Sequence, residues 1–432
     1  MMRSMRHRNR PAAGTVRLSS RGRALARTPF PTVGRAGPVR AFRPCQPDLS
    51  IFPVDIWRRI AAKRSRLSHR NLLADADVCG FKPLRVVIAA HLRSTRGIAC
   101  SAENVAVLGS FQQILDLSAR LLIDPGDEVW MEDPGYPGAR LVLEAAGAKV
   151  VGVPVDDAGL NVEAGRARAP TARLAYVTAG RQAPLGMPLA LARRQALLEW
   201  ANEADAIVIE DGYDREYRFE GRPLSALKSL DTSDRVLYTG TFSKLLFSSL
   251  RLAFVILPDT LVEPFTAAVS LTCRNVSLFP QVVLHDFMAE GHFGRHVRHM
   301  RMLYGERAKV LQEAAVTHLG GLIRIPPAVV GLDVPAFLPE GSDDSAVARL
   351  AADAGIETRP LSIYAVEAQA PAGLELGFAA VKPADIKAGV VTLARVLATA
   401  GKRSSAAAQR SRKLHSGRRR RRPAHGRSAT RQ

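Results

Sequence analysis

The stretch YTGTFSKLLFSSLR, residues 238–251, decides the fold prediction. An apolar run ends at its first residue, and another covers Leu252–Leu257, so a hydroxyl-rich turn with Lys244 follows a buried strand. A lysine at a strand end is easily desolvated, which lowers the pKa of its amine and favours a Schiff base. The nearby hydroxyl groups and Arg251 are suited to hold a phosphate. The stretch therefore predicts a site that binds a phosphorylated carbonyl compound.

The charge of the chain lies in its two ends. The 432 residues carry a formal charge of +21, but residues 1–44 hold 11 Lys/Arg and residues 401–432 hold 12, with no acidic residue in either. The remainder has 38 basic and 40 acidic residues and is near neutral. We predict a disordered basic arm or linker over 1–44 and a disordered basic tail over 401–432.

The spacing of the cysteines and the hydropathy of the chain indicate its cellular compartment. Cys45, Cys79, Cys100 and Cys273 are scattered without paired spacing, which favours a reducing compartment, and the cytoplasm is the default. No apolar run approaches the roughly 20 residues that span a bilayer, so no membrane association is predicted. The Arg-rich, acid-free start is also typical of a mitochondrial transit peptide, and that alternative stays open.

Short apolar strands alternate with helices through the first two thirds of the chain. The predicted strands are Val105–Leu108, Glu128–Met131, Lys149–Val153, Arg173–Thr178 and Ala206–Glu210, together with those on either side of the opening stretch. This alternation predicts an α/β large domain with a mostly parallel central sheet, at about 75–285. Long helices at 261–271 and 281–317, the second as one helix or two in tandem, lead into a smaller α+β domain, about 286–400 with 45–74.

Several polar residues follow predicted strands. In parallel sheets, ligands bind at these carboxyl ends of the strands. Asp211 closes an apolar strand; a carboxylate there, set against a pyridine nitrogen, keeps such a ring protonated and makes it an electron sink. Tyr213 is placed to donate to a ring oxygen. With Lys244, these residues predict a site for pyridoxal 5'-phosphate (PLP). The alternative that Asp211 only caps a turn stays open.

Two other strand ends complete the predicted site. Ser110 and Phe111 stand at a strand-to-helix junction, which offers backbone N–H groups to an anion. Tyr136 is placed to stack on a flat ring, or else is an ordinary loop aromatic.

The joint order of these motifs carries a resemblance. Asp211-Gly212-Tyr213, Thr241-Phe242-Ser243-Lys244 and Arg251 resemble the cofactor residues of fold-type-I PLP-dependent aminotransferases. More narrowly, Glu132–Gly138, Glu220–Leu224 and Glu290–Arg301 resemble the aminotransferase-like domain of the MocR/GabR family of regulators. The resemblance runs from about Phe42 to about Ala398. It implies the fold-type-I fold, a homodimer, and an amino acid or amine as ligand.

The resemblance also implies a role for each matching residue. Lys244 would carry PLP as a Schiff base, Asp211 would pair with the pyridine nitrogen, and Tyr213 would bond the ring oxygen. The phosphate would be held by Arg251, by Thr241 or Ser243, and by the backbone near Ser110 and Phe111, with Tyr136 near the ring.

The chain departs from the family pattern at several points. It begins inside what resembles the linker, so the winged-helix domain of such regulators is expected to be missing. The segments that differ are Asp75-Ala76-Asp77-Val78 for Tyr-Gly-Asp-Pro, Ser110-Phe111 for a small-residue turn, and Ala179-Gly180-Arg181-Gln182 for Pro-Ser-His-Gln. Glu375 stands where aminotransferases place the arginine that holds the substrate carboxylate. Arg359 is the nearest other basic residue, and the sequence does not place it.

Three functions follow from these observations. The first is a PLP-binding, aminotransferase-like protein with weak or no transaminase turnover, acting as a ligand sensor or surviving as a remnant. The second is an active aminotransferase of an amino acid and a 2-oxo acid. The third is a nucleic-acid-binding protein that uses its basic tails alone. A metal site on His292, His296 and His299 is disfavoured by the arginines between them.

Overall fold

The computed structural model describes residues 17–26, 38–67, 77–213, 215–221, 224–368 and 370–419. The strands are β1 Val105–Leu108, β2 Glu128–Asp133, β3 Lys149–Asp156, β4 Gly159–Leu160, β5 Leu174–Val177, β6 Ile207–Asp211, β7 Val236–Thr241, β8 Ala253–Ile256, β9 Asp333–Phe337, β10 Arg359–Pro360 and β11 Gly373–Gly377. The helices are α1 Ser20–Leu25, α2 Val54–Leu67, α3 Lys82–Arg96, α4 Phe111–Leu122, α5 Pro137–Ala146, α6 Val162–Arg168, α7 Leu191–Glu203, α8 Asp259–Thr272, α9 Leu278–Ala289, α10 His292–His318, α11 Asp344–Asp353 and α12 Pro383–Arg419.

The large sheet has the order β1-β8-β7-β6-β5-β2-β3-β4, and a second sheet has the order β10-β11-β9. Strands β3, β2, β5, β6 and β7 are parallel, whereas β8 is antiparallel to both of its neighbours and the short β4 is antiparallel to β3. The predicted α/β class, with a mostly parallel sheet and a smaller domain, is confirmed. Strands β1, β2, β5, β6 and β7 point the same way, so their carboxyl ends share one edge.

The near-continuous apolar runs of the central strands reflect burial on both faces. Strands β1, β5 and β8 are buried at every position. On one face, Trp130 of β2 stacks on Trp200 of α7 with ring centroids 3.7 Å apart, and both indole N–H groups donate to backbone carbonyls. This packing fixes the strands whose ends carry the polar residues. Among the described residues, no helix is both long enough and apolar enough to cross a membrane.

The structure describes helical residues in both of the basic segments at the ends of the chain. Within the predicted arm, Ser19 caps the short helix α1, and Arg21 donates to the carbonyls of Ala145 and Ala146 at the end of α5. Within the predicted tail, α12 continues to Arg419, because Ala, Gln, Lys and Arg are strong helix formers and no proline intervenes. The long helical region at 281–317 is two helices in tandem, divided at Gly291 with φ 76°. Asp75 lies outside the described residues.

The segment around Phe42 joins the small sheet. Phe42 forms a bridge with Gly377 at the end of β11 and is fully buried. Cys45, three residues further on, has φ 58°, and its N–H donates to the buried Asp333 carboxylate over 2.9 Å. These contacts bring Cys45 to the edge of the large sheet.

Gly377 permits this approach, which gives a testable expectation. A Cβ at this position would lie 1.9 Å from the carbonyl oxygen of Arg43 and 2.9 Å from the Cα of Pro44, both of which are backbone atoms. We expect Gly377→Ala to lower the free energy of unfolding by at least about 1–3 kcal/mol, as overpacking does. In chemical denaturation, the control Gly294→Ala should be neutral or slightly stabilising, because a Cβ at that helical site would meet the end of the Arg298 side chain at an ordinary contact distance of 3.5 Å. Equal stability of the two variants would contradict the close approach.

Candidate active site

The shared carboxyl edge gathers all nine predicted site residues around one cavity of about 430 Å³. The nine are Ser110, Phe111, Tyr136, Asp211, Tyr213, Thr241, Ser243, Lys244 and Arg251. The strand directions explain this assembly, because these residues end or follow β1, β2, β6 and β7 or precede β8. A larger cavity of about 720 Å³ is lined by residues of 321–324, 337–340 and 371–372 and contains none of the nine.

Lys244 lies three residues beyond β7, in the turn that the opening stretch predicts. Its Nζ sits 4.0 Å from the centroid of the Tyr213 ring and 3.7 Å from the Sγ of Cys45. The Thr241 hydroxyl accepts from the N–H of Ser243, which closes the start of the turn. The lysine amine is therefore held over an aromatic face inside the cavity.

Asp211 ends β6 and is almost wholly buried, with 8% of its surface exposed. Its Oδ2 accepts a hydrogen bond of 2.7 Å from the hydroxyl of Tyr176, which is fully buried on the neighbouring strand. The Tyr213 hydroxyl accepts from Arg181 over 3.0 Å, and an oxygen that accepts in this way still carries a hydrogen to donate. This end of the cavity thus offers a carboxylate and a phenol.

Another part of the cavity lining has features of an anion site. The hydroxyl of Ser110 caps α4 by accepting from the N–H of Gln113 over 3.1 Å, so the positive end of a 12-residue helix faces the cavity. Arg251 adopts the left-handed conformation, φ 51° and ψ 49°, just before β8 and is exposed. The Phe111 ring lies 6.3 Å from the rings of Tyr136 and Tyr176. Phe111 therefore narrows the cavity beside this helix end.

The structure places Arg359, which the sequence left unassigned. It stands directly opposite Glu375 across the β10–β11 ladder, with Nη1 3.1 Å from the Glu375 Oε2. The hydroxyl of Tyr364 accepts from Arg359 over 2.9 Å and donates to the same carboxylate oxygen over 2.8 Å. All three residues line the cavity. Arg359 thus already has a carboxylate partner from the chain itself.

A second buried ion pair supports this wall. Arg181 and Asp333 lie 2.7 Å apart, with side-chain exposures of 4% and 1%. Arg181 also donates to the backbone carbonyl of Asp333 and to Tyr213. The arginine that departs from the family pattern therefore connects the small sheet to the predicted ring-binding tyrosine.

Burial controls the protonation of this wall. Burial and the nearby Asp333 carboxylate raise the pKa of Glu375. Burial also opposes the charged form of Asp333, but Arg181 and Lys244 outweigh it and lower the pKa of that carboxyl. Burial raises the pKa of the Cys45 thiol to about 12, although Lys244 acts in the opposite direction. Cys45 is therefore a neutral thiol at physiological pH.

Cys45, Tyr176 and Tyr364 line the cavity although they had not been predicted, and neither had Asp333, which contacts Cys45. One weak sequence signal pointed to Tyr176 as a site residue, namely a phenol inside a buried apolar strand. Cys45 offered none, because it reaches the cavity from 199 positions before Lys244. Of the three histidines, His296 is buried, whereas His292 bonds Arg295 and His299 is exposed.

His296 packs beneath the Lys244 turn and should make stability depend on pH. Its ring contacts Phe52, and burial lowers its pKa to about 4, although a hydrogen bond to the backbone of Leu245 favours the protonated form. Since the unfolded imidazole binds a proton near pH 6.5, the free energy of unfolding should fall by about 2–4 kcal/mol as the pH drops from 7 to 4. Denaturation across this range should show a shallower dependence for His296→Phe and an unchanged one for the exposed His318→Phe. Parallel profiles for His296→Phe and the native protein would contradict this account.

Comparison with known proteins agrees with this geometry. The family model described as aminotransferase class I and II matches residues 50–393. The chain belongs to the class I and II aminotransferase family. It is 39% identical over 382 residues to the probable rhizopine catabolism regulatory protein MocR of Rhizobium meliloti, covering 88% of this chain and 76% of that regulator.

Enzymes of the family are also similar to the chain. Aromatic-amino-acid aminotransferase 1 of Thermococcus litoralis is 26% identical over 353 residues, which cover 80% of this chain and 85% of the enzyme. The solved kynurenine aminotransferase of Pyrococcus horikoshii, in complex with PMP, superposes with a TM-score of 0.77 at 26% identity, covering 84% of this chain and 91% of that one. The predicted relationship to fold-type-I aminotransferases and MocR-type regulators is confirmed.

The residues present fit the cofactor of this family. The cavity combines an amine, a buried carboxylate, a phenol, and a helix N-terminus with an arginine, which are the groups that a pyridinium ring bearing an aldehyde and a phosphate requires. Its volume of about 430 Å³ lies within the range usual for small-molecule sites.

Proposed function

We propose that this protein binds pyridoxal phosphate in the cavity at Lys244 and responds to an amino acid or amine ligand, with weak or no transaminase turnover. The observation that carries the proposal is the pairing of Arg359 with Glu375 in a cavity that otherwise keeps the cofactor-binding set. When bound, PLP supplies an electron sink for charge that develops next to an amine nitrogen.

Each residue of the set has a role in this proposal. Lys244 carries the cofactor through its Nζ, which Tyr213 shields from one side. Asp211 holds a proton on the ring nitrogen, and the hydrogen bond from Tyr176 keeps its carboxylate oriented. Tyr213 donates to the ring oxygen and is itself positioned by Arg181.

Other lining residues contact the phosphate and the face of the ring. Arg251, Thr241, Ser243 and the helix end at Ser110 hold the phosphate, and Tyr136 lies against the ring. Phe111 adds bulk beside that helix end, which weakens the phosphate contacts.

Weak turnover follows from how substrate would be held. Transamination requires that the substrate be held in one orientation relative to the cofactor ring. A bidentate arginine–carboxylate pair is the usual means of holding it. Arg359 is engaged by Glu375 and Tyr364 over distances of about 3 Å. A substrate carboxylate would have to displace a buried carboxylate to reach this guanidinium.

The relatives are consistent with a sensing role. MocR of Rhizobium meliloti, a regulator, is 39% identical to this chain, whereas the aminotransferase of Thermococcus litoralis is 26% identical. The alternative, an active aminotransferase, is supported by the retention of Lys244 and Asp211 in one cavity. We further propose a homodimer in the cytoplasm; the four cysteines of the described chain are unpaired thiols, which agrees with a reducing compartment.

A half-reaction experiment separates the two functions. The purified, PLP-loaded protein is mixed with single L-amino acids, and the 2-oxo acid formed per chain is measured by chromatography. We expect far less than one equivalent, with the visible absorbance of the lysine-bound cofactor retained. Rapid formation of one equivalent, followed by repeated turnover when a second 2-oxo acid is added, would establish the aminotransferase instead.

A further inference from the structure

We infer that the ligand of this cavity is a primary amine that carries no carboxylate on its amine-bearing carbon. This inference rests on the proposed function, since it concerns the ligand that meets PLP at Lys244. It follows from the charges of the cavity wall that faces Lys244.

Positive charge that could hold a ligand carboxylate is already compensated. Among the lining residues that the structure describes, the positively charged ones are Lys244, Arg251 and Arg359. Lys244 and Arg251 are assigned to the cofactor in the proposed function. Arg359 is satisfied by Glu375 and by Tyr364.

The carboxyl groups of this wall, in turn, already occupy its arginines. Ligand atoms of Glu375, Asp333 and Cys45 all lie within 4.8 Å of one another, and both carboxylates are more than nine-tenths buried. Asp333 is balanced by Arg181 in a pair that keeps less than 5% exposure on either side. A ligand carboxylate placed here would stand beside two carboxyl groups that are already paired with these arginines, so it would be poorly solvated and without a counter-ion of its own.

The wall is instead compatible with a ligand that brings no negative charge. Tyr364 and the 35%-exposed side chain of Arg359 present polar edges to the cavity without an uncompensated cation. Glu375, whose Oε2 is shared by these two residues, acts as an internal counterpart of a substrate carboxylate. In an aminotransferase site, the carboxylate of an α-amino acid pairs with an arginine. In this cavity, Glu375 of the chain itself takes the place of that carboxylate.

Paired ligands that differ by one carboxylate test this inference. The PLP-loaded native protein is titrated by calorimetry with tyramine against L-tyrosine, isoamylamine against L-leucine, and cadaverine against L-lysine. We expect the amine of at least one pair to bind at least tenfold more tightly than its amino acid. Equal or tighter binding of the amino acid in every pair, or no binding of any amine, would overturn the inference.

Two variants identify the residue responsible. Glu375→Gln removes the internal carboxylate while keeping an acceptor for Tyr364, and it should raise amino acid affinity at least tenfold while changing amine affinity less. The matched control is Glu357→Gln, which removes a carboxylate from the Arg43 ion pair outside the cavity and should leave the preference unchanged. If Glu375→Gln melts like the native protein and still prefers amines to the same extent, Glu375 is not responsible for that preference.

The cofactor state is checked separately from ligand choice. The visible spectrum of each sample shows whether PLP is bound through a lysine before any ligand is added. If that absorbance is missing, the proposed function fails; if it is present and the amines do not outcompete their amino acids, only the ligand assignment fails.

Discussion

Replacing Lys244 with alanine is expected to abolish the visible absorbance of the PLP-loaded protein. The amine of Lys244 lies in the cavity over the Tyr213 ring, and a lysine amine is needed for a Schiff base with the cofactor aldehyde. The variant should still fold, because Lys244 sits in a turn outside β7 and its removal leaves no large apolar void. The measurement is the absorption spectrum after saturation with PLP and removal of excess.

Two controls make the Lys244 result specific. Lys244→Arg keeps the positive charge but cannot form the Schiff base, so it should be colourless as well. Lys387→Ala removes an exposed lysine of α12 and should keep the full absorbance. Retention of the native spectrum by Lys244→Ala would mean that another lysine carries the cofactor.

Arg181→Ala is expected to have the largest effect on stability, lowering the free energy of unfolding by about 3–5 kcal/mol at neutral pH. The change would leave Asp333 as a buried carboxylate without its arginine, and it would remove the donor to Tyr213. Because the isolated carboxyl would take up a proton more readily in the folded state than in the unfolded state, the deficit should shrink as the pH is lowered. Chemical denaturation at several pH values measures both effects.

An exposed ion pair provides the comparison for Arg181. Arg166 and Glu203 lie 2.5 Å apart with side-chain exposures of 30% and 61%, so Arg166→Ala should cost only about 0–1 kcal/mol. The double variant Arg181→Met/Asp333→Leu should recover much of the loss, since it removes both charges together. Similar costs for Arg181→Ala and Arg166→Ala would show that the buried pair does not stabilise the fold.

The fold was predictable because its signals are local. Apolar runs bounded by turns located the strands, and Val105–Leu108 has the predicted bounds. Strand order is not a local property and could not be predicted in this way. Parallel strands, however, place their carboxyl ends at one edge whatever their order. The residues at the ends of β1, β2, β6 and β7 could therefore be assigned to one site. The helices at the ends of the chain were not anticipated, because composition signalled charge, whereas capping and helix propensity decide local structure.

The wall opposite Lys244 was not predictable from the sequence in the same way. Cys45 and Asp333 come from segments nearly 300 residues apart and meet through one backbone hydrogen bond. The pairing of Arg359 with Glu375 depends on the register of two short antiparallel strands, one of them only two residues long. The sequence flagged Glu375 as unusual, but its partner and its charge state required the three-dimensional arrangement.

Reduction of the PLP-loaded protein with borohydride, followed by peptide mapping with mass spectrometry, tests the central claim most directly. Borohydride makes the bond between a lysine and the cofactor permanent, so the modified residue can be read from the peptides. A Schiff base at Lys244 requires one pyridoxyl group per chain, on Lys244. A label on another lysine, or no label on a folded chain saturated with PLP, would contradict it.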